Sequence, residues 1–142
     1  MASKCTNQAF LILMQTSRAL QERIRDDMMK NNLSITEFSV LEVLFHKGKQ
    51  TIQQIGKSVL ITSGSMTYVI DRLEQKGFLK RSACPDDRRA IHVTLTDAGI
   101  EIMITIMPEH EDFVDRVFDS LTSSEVDTLV DFLKRVKEKV EN

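Results

Sequence analysis

Cysteine is scarce: Cys5 and Cys84 are the only two in 142 residues. Two thiols do not make a disulfide framework, and free thiols in the cytoplasm are the default expectation. Long apolar runs are lacking too. The longest, Ala9-Phe10-Leu11-Ile12-Leu13-Met14, falls far short of the ~20 residues a membrane span needs, so no membrane partner is expected. Residues Met1 to Asn7 lack a basic stretch, a long apolar stretch and a small-residue cleavage site, so no secretory signal is expected. There is no P-loop, no GxGxxG after a strand, no GxSxG elbow and no HExxH, which argues against an enzyme. His46, His92 and His110 are isolated. Only His110 has acidic neighbours, Glu109 and Glu111, and with Asp112 and Asp115 these read most simply as a solvated helix face. Neither a metal nor a cofactor is expected. With 42% hydrophobic and 28% charged residues, the chain has the composition of a folded globular protein rather than a disordered or low-complexity one.

An excess of either charge is also missing, since the net charge is −2. Its distribution is uneven. Residues 1–45 are neutral, residues 46–95 carry +5 and residues 96–142 carry −7. A basic middle between neutral and acidic flanks suggests one surface turned to a polyanion and another turned away. Chance clustering remains the plain alternative for a block of this size.

Helical periodicity opens the chain. From about Thr6 to Asn31, Phe10, Leu13, Met14, Ser17, Leu20, Ile24 and Met28 form one stripe. Leu11 and Ile12 fall off it, and a helix apolar on more than one side wants a second neighbour, which a partner subunit would provide. Ser34-Ile-Thr-Glu37, Thr51-Ile-Gln-Gln54 and Thr122-Ser-Ser-Glu125 each match a capping box, so three helices should start there. The first directs Phe38, Leu41, Leu44 and Phe45 inward and stops near Gly48. The second directs Ile52, Ile55 and Val59 inward, with Gly56 implying a close helix contact. Thr62 or Ser63 can cap a fourth helix, with Met66, Val69, Ile70 and Leu73 inward and Gly77 as its stop. The period then changes to two. Phe78–Ser82 and Ala90–Leu95 read as strands around a charged tip, residues 83–89. Thr96 caps a long helix that Pro108 should kink or divide. The last helix carries Val126, Leu129, Leu133, Val136 and Val140 on a narrow seam.

The expected order is α-α-α-α-β-β-α-α: mainly α, with a small β-hairpin wing. A short helix, a tight turn, a second helix and a hairpin describe a winged helix-turn-helix, whose second helix enters the DNA major groove by its N-terminal end. Here that end presents Ser63, Gly64, Ser65, Thr67, Tyr68, Asp71 and Arg72 outward. Small hydroxyls suit phosphates and base edges, Gly64 permits close backbone approach, and Tyr68, the one tyrosine, can meet a thymine methyl or a sugar. An ordinary surface helix explains Ser63, Ser65 or Thr67 singly; together, in this context, they favour DNA. At the hairpin, Arg88 and Arg89 sit at or near the tip, where an arginine can enter the electronegative minor groove, with Asp86 or Asp87 bracing it by a bidentate pair. The common fate of such a loop is a solvated charged turn.

Leu33-Ser-Ile-Thr-Glu-Phe-Ser-Val-Leu41, Ser63-Gly-Ser65, Arg72-Leu-Glu-Gln-Lys-Gly77 and above all Asp87-Arg-Arg-Ala-Ile-His-Val-Thr-Leu-Thr-Asp-Ala-Gly99 resemble the MarR family of bacterial transcription regulators, over essentially the whole chain. The resemblance implies a homodimeric repressor that binds a double-stranded DNA operator and answers to a small-molecule inducer. It implies a single domain over 1–142, with residues 34–95 as the DNA-binding part and residues 6–31 and 96–142, helices from both termini, as the dimerisation part. It makes Asp87 the wing-bracing aspartate and Arg89 the minor-groove arginine, with Arg88 at a phosphate. Within the family, Thr36–Leu44, His46-Lys-Gly48, Gln53-Gln-Ile-Gly56 and Ser63–Val69 are similar to the quinone- and hydroquinone-resistance regulators, which implies an aromatic, phenolic or quinone-like inducer.

Two rival readings remain. A thiol switch could use Cys5 or Cys84, but the early-helix cysteine of the family's peroxide sensors aligns with Phe10, and no tyrosine exists outside Tyr68 to hold one. A helical dimerisation module that never touches DNA would leave the basic middle and the wing without a purpose.

Overall fold

The computed structural model describes residues 7–60 and 65–142. By contact the chain falls into two compact units, Met1–Thr105 and Ile106–Asn142. The first helix, α1 (Gln8–Met29), is capped by Asn7, whose side chain accepts from the Phe10 N–H at 2.9 Å. Its end is decided by Asn32, the one described non-glycine residue with positive φ. There the Leu33 N–H reaches back to the Met28 carbonyl and the Asn32 N–H to that of Met29. This is a Schellman stop, and it sets the buried side chains of Met28 and Leu33 together at the helix exit. Burial along α1 grows toward that end: Phe10 to Met14 are exposed, Ser17, Leu20 and Ile24 are half-buried, and Met28 is buried.

The second helix, α2 (Ile35–Lys47), is the centre of the first unit. Nine of its thirteen residues are buried, including Phe38, Val40, Leu41 and Leu44, so it is enclosed on more sides than a single apolar stripe suggests. Its capping box forms as expected between Ser34 and Glu37, and Gly48, at φ 74°, ends it. A two-residue strand follows, β1 (Gln50–Thr51), then α3 (Ile52–Ser58), which opens on the Thr51–Gln54 capping box and buries Ile55. Helix α4 (Met66–Gln75) buries Val69, Ile70 and Leu73, with Met66 half-buried. Its cap is Ser65 rather than Thr62 or Ser63, which lie outside the described residues. Three nearby hydroxyls and no Glu or Gln at the third helical position left the choice open to sequence. Gly77, at φ 83°, ends α4 as expected: the Phe78 N–H donates to the Leu73 carbonyl and that of Gly77 to Glu74.

Strands β2 (Leu79–Cys84) and β3 (Asp87–Leu95) form the hairpin, and β1 adds to the other edge of β3, giving the order β1-β3-β2. The element order is therefore α-α-β-α-α-β-β-α-α, one strand more than the periodicity announces, because two residues are too short to show a period. The tip is also shorter than expected. Cys84 faces Asp87 across the two-residue turn Pro85-Asp86, while Ala83 faces Ile91, so residues 88–90 bulge out with no β2 residue opposite.

Helix α5 (Asp97–Val117) begins where α4 and the hairpin meet. The Thr96 N–H donates to the Phe78 carbonyl at 3.1 Å, its hydroxyl to the Gly77 carbonyl at 2.5 Å, and it accepts from the Gly99 N–H at 3.1 Å. A Cβ on Gly99 would stand 2.0 Å from the Phe78 oxygen, so only glycine lets α5 start this close. Pro108 does not divide α5. Its missing N–H removes one helix hydrogen bond, the one to the Ile104 carbonyl, and the helix runs on through it. In the second unit the remainder of α5 contains the buried Ile106 and Met107, and α6 (Ser123–Glu141) follows the Thr122–Glu125 capping box. No α6 residue is buried; Leu133, Val136 and Val140 of its apolar seam are exposed.

Among the described residues the close contact expected at Gly56 is absent: Gly56 is exposed, and none of them lies within 4 Å of a Cβ built there. Gly56→Ala should therefore stabilise the protein by about 0.5–1 kcal/mol, since only helix propensity changes. Gly99→Ala should destabilise by about 2 kcal/mol or more, because it drives a methyl group into backbone. Chemical denaturation of both variants checks the opposite signs; a stable Gly99→Ala protein would refute the junction as described.

Candidate nucleic-acid interface

The helix-turn-helix pair is α3 and α4, and its outward face is built by subtraction. With Val69, Ile70 and Leu73 buried, α4 leaves Ser65, Thr67, Tyr68 and Arg72 exposed, Tyr68 by 63%. Ser65 is occupied in part by capping, accepting from the Tyr68 N–H at 3.5 Å. Ser63 and Gly64 lie outside the described residues, as does Cys5. Asp71, expected outward, is half-buried against the hairpin.

Arg88 and Arg89 are exposed on the bulge of β3 rather than at the turn, and neither guanidinium has a carboxylate partner among the described residues. Asp87 does not form a bidentate pair with either. Its Oδ1 accepts from the backbone N–H of Arg89 at 2.9 Å. With no β2 residue opposite, that N–H takes the carboxylate as its acceptor, so Asp87 shapes the backbone that carries Arg89 and leaves the guanidinium free. Cys84 is a half-buried free thiol at the foot of the turn. Among the described residues no three His, Cys, Asp or Glu side chains gather as a metal-binding group, and no helix is long and apolar enough to cross a membrane.

Two charge arrangements escaped the sequence reading. In the hairpin, Arg81 reaches across to α4: Nη1 donates to Glu74 Oε1 at 3.1 Å, Nη2 to the Asp71 carboxylate, and the Arg81 backbone N–H to Glu74 Oε2 at 3.3 Å. The available signal was the i, i+3 spacing of Asp71 and Glu74, which puts both acids on one helix face. Behind α4, the Lys76 ammonium donates to Glu37 Oε1 at 3.0 Å and to the Asn32 carbonyl at 2.8 Å, and lies 2.9 Å from Glu37 Oε2. Oε2 gains the charge of the ammonium rather than a directed hydrogen bond. Burial alone would push the Glu37 carboxyl up. The Lys76 hydrogen bond, the Ser34 backbone N–H and the ammonium charge outweigh it, so its pKa lies below the ordinary carboxylate value.

The MarR family model matches residues 33–91. The HTH-type transcriptional regulator MhqR of Bacillus subtilis (strain 168) is 42% identical over 127 residues, 89% of this chain and 88% of that protein. The chain belongs to the MarR family. Its fold is that of AbsC, a MarR family transcriptional regulator from Streptomyces coelicolor, at a TM-score of 0.86 and 23% identity over 99% of this chain and 98% of that one. Reduced AbfR bound to DNA matches at a TM-score of 0.72 and 22% identity over 96% and 94% of the two chains. As a MarR-family member this protein is a DNA-binding transcriptional regulator, not an enzyme. MarR regulators bind DNA as dimers.

In this MarR protein the Glu37–Lys76 pair ties the end of α4 to the start of α2. A carboxyl whose folded pKa is depressed adds stability above its unfolded value and loses it as pH falls through the folded value. Glu37→Gln should lower stability at pH 7 and flatten the fall in stability below pH ~4.5. Urea melts across pH 3–7 check this. Parallel curves for the two proteins would show that the pair contributes nothing through charge.

Proposed function

We propose that this chain is a cytoplasmic repressor that binds a palindromic operator as a homodimer. Each subunit lays the N-terminal end of α4 in a major groove and Arg89 in the neighbouring minor groove. The observation that carries this reading is the exposed bulge of β3, where Asp87 holds the Arg89 backbone and the guanidinium stays unpaired. The fold shared with DNA-bound AbfR supports it. Residues 34–95 serve as the DNA-binding part of a single functional domain, 1–142. Residues 6–31 and 96–142 serve as the dimerisation part. Apolar side chains left exposed on the single chain support that division: Phe10 to Met14 on α1, Ile100, Ile104 and Val114 on α5, and Phe132, Leu133 and Val136 on α6. Obligate dimer interfaces have this character. Similarity to MhqR, with the motif resemblance to quinone- and hydroquinone-resistance regulators, supports release by a small aromatic, phenolic or quinone-like inducer.

Arg88 and Arg89 carry equal charge, so long-range attraction to DNA hardly separates them. Arg89→Ala should weaken operator binding by about 1–3 kcal/mol, and Arg88→Ala distinctly less. Asp87→Ala removes a negative charge yet should also weaken binding, because the bulge loses its internal acceptor. Affinities at one fixed salt concentration, with dimer state checked, decide the matter; tighter binding by Asp87→Ala would sink the wing mechanism. Deleting residues 126–142 should leave aggregated or unfolded protein that forms no DNA complex. A soluble, folded monomer from that truncation would overturn the proposed dimerisation.

A further inference from the structure

Arg81 stands outside the expected DNA-contacting set, yet it is where the two DNA-facing elements are joined. Its guanidinium forks between Asp71 and Glu74, and its backbone N–H takes the second oxygen of Glu74. Among the described residues no other side-chain hydrogen bond or ion pair links α4 to the hairpin. The Arg81 side chain is 27% exposed, so the pairing is partly removed from water, where a planar fork to two carboxylates gains directional strength.

The placement matters because the hairpin is a lever. Arg81 faces Val93, which is fully buried, and Arg89 lies four residues beyond Val93 along β3. That separation is on the order of 10 Å, so a tilt of about 10° at the hairpin's base displaces Arg89 by about 2 Å. A groove contact does not survive such a shift, since hydrogen bonds occupy a narrow distance range. Loss of the fork would leave α4 able to enter its groove while the wing misses its own.

We infer that Arg81 is a positioning residue for DNA recognition: by clamping Asp71 and Glu74 it fixes the angle of the wing to α4, so that Arg89 and the α4 N-terminus engage together. The inference rests on reading α4 and Arg89 as DNA contacts. A simpler effect competes with it. Arg81 also neutralises two acids on the DNA-facing helix, which would aid binding through charge alone.

The test uses the full-length protein and a duplex that it selects from a random-sequence library. Dissociation constants at one fixed salt concentration are measured for Arg81→Gln, Arg81→Lys and Asp71→Asn, each with Arg89 present and in an Arg89→Ala background. Positioning predicts that all three weaken binding roughly tenfold with Arg89 present and by less than about twofold without it, because a wing lacking Arg89 has little left to misplace. Charge alone predicts that Asp71→Asn tightens binding, that Arg81→Lys behaves like the parent and that losses are the same in both backgrounds; any of these overturns the inference. If circular dichroism shows Arg81→Gln unfolded, the other two variants decide. Should Arg89→Ala itself cost nothing, the interface reading fails and this inference falls with it. A costly Arg89→Ala with additive losses refutes the role of Arg81 alone.

Discussion

The backbone around Phe78 is the point from which the first unit is organised. Its carbonyl accepts the Thr96 N–H and stands where any side chain on Gly99 would have to go. Gly77 turns the chain out of α4 with a positive φ, and its carbonyl takes the Thr96 hydroxyl. Three elements thus diverge from one cluster of groups: α4, the helix proposed to face DNA, the hairpin that forms the wing, and the long helix α5. Backbone contacts of this kind do not adapt as side chains do, because neither oxygen nor peptide can rotate away. The placement of α4, the hairpin and the start of α5 is therefore set at Gly77, Phe78, Thr96 and Gly99, outside the residues proposed to contact DNA.

Charge in the basic middle of the chain is divided between two tasks. Lys76 turns inward to Glu37 and the α1–α2 turn, and Arg81 turns sideways to Asp71 and Glu74. Each charge is spent on another and holds an element in place. Arg72, Arg88 and Arg89 are exposed, and Asp87 directs its carboxylate to a backbone N–H instead of a guanidinium. Setting both pairings aside leaves the net charge of residues 46–95 at +5, because the Arg81 fork to two carboxylates carries −1 and the Lys76 charge placed against Glu37 carries +1. Arg72 sits on the α4 face and Arg88 and Arg89 on the wing bulge, two places suited to major and minor grooves, while Lys47, Lys49, Lys57 and Lys80 are exposed elsewhere.

Much of the architecture was legible in sequence because the signals were local. Capping boxes at Ser34, Thr51 and Thr122 formed as read, since all their atoms lie within four consecutive residues. Stops at Gly48 and Gly77 followed from the same locality. The outward position of Thr67, Tyr68 and Arg72 followed from the helical period. Gly56 misled, because a glycine in a helix marks either close approach or mere tolerance, and only the surroundings tell which.

The sequence by itself determined the element types, the winged-helix order apart from β1, and the family, all from short-range periodicity and motif. Tertiary structure alone decided the pairing of β1 with β3, the register that makes residues 88–90 bulge, and the use of Asp87 on backbone rather than side chain. It alone brought Arg81 to Asp71 and Glu74, and Lys76 to Glu37, partners 7 to 39 residues apart. The reason is physical. A capping hydroxyl finds its N–H through the dihedral angles of neighbouring residues, whereas these contacts exist only after a buried α2 has fixed where α4 and the hairpin lie.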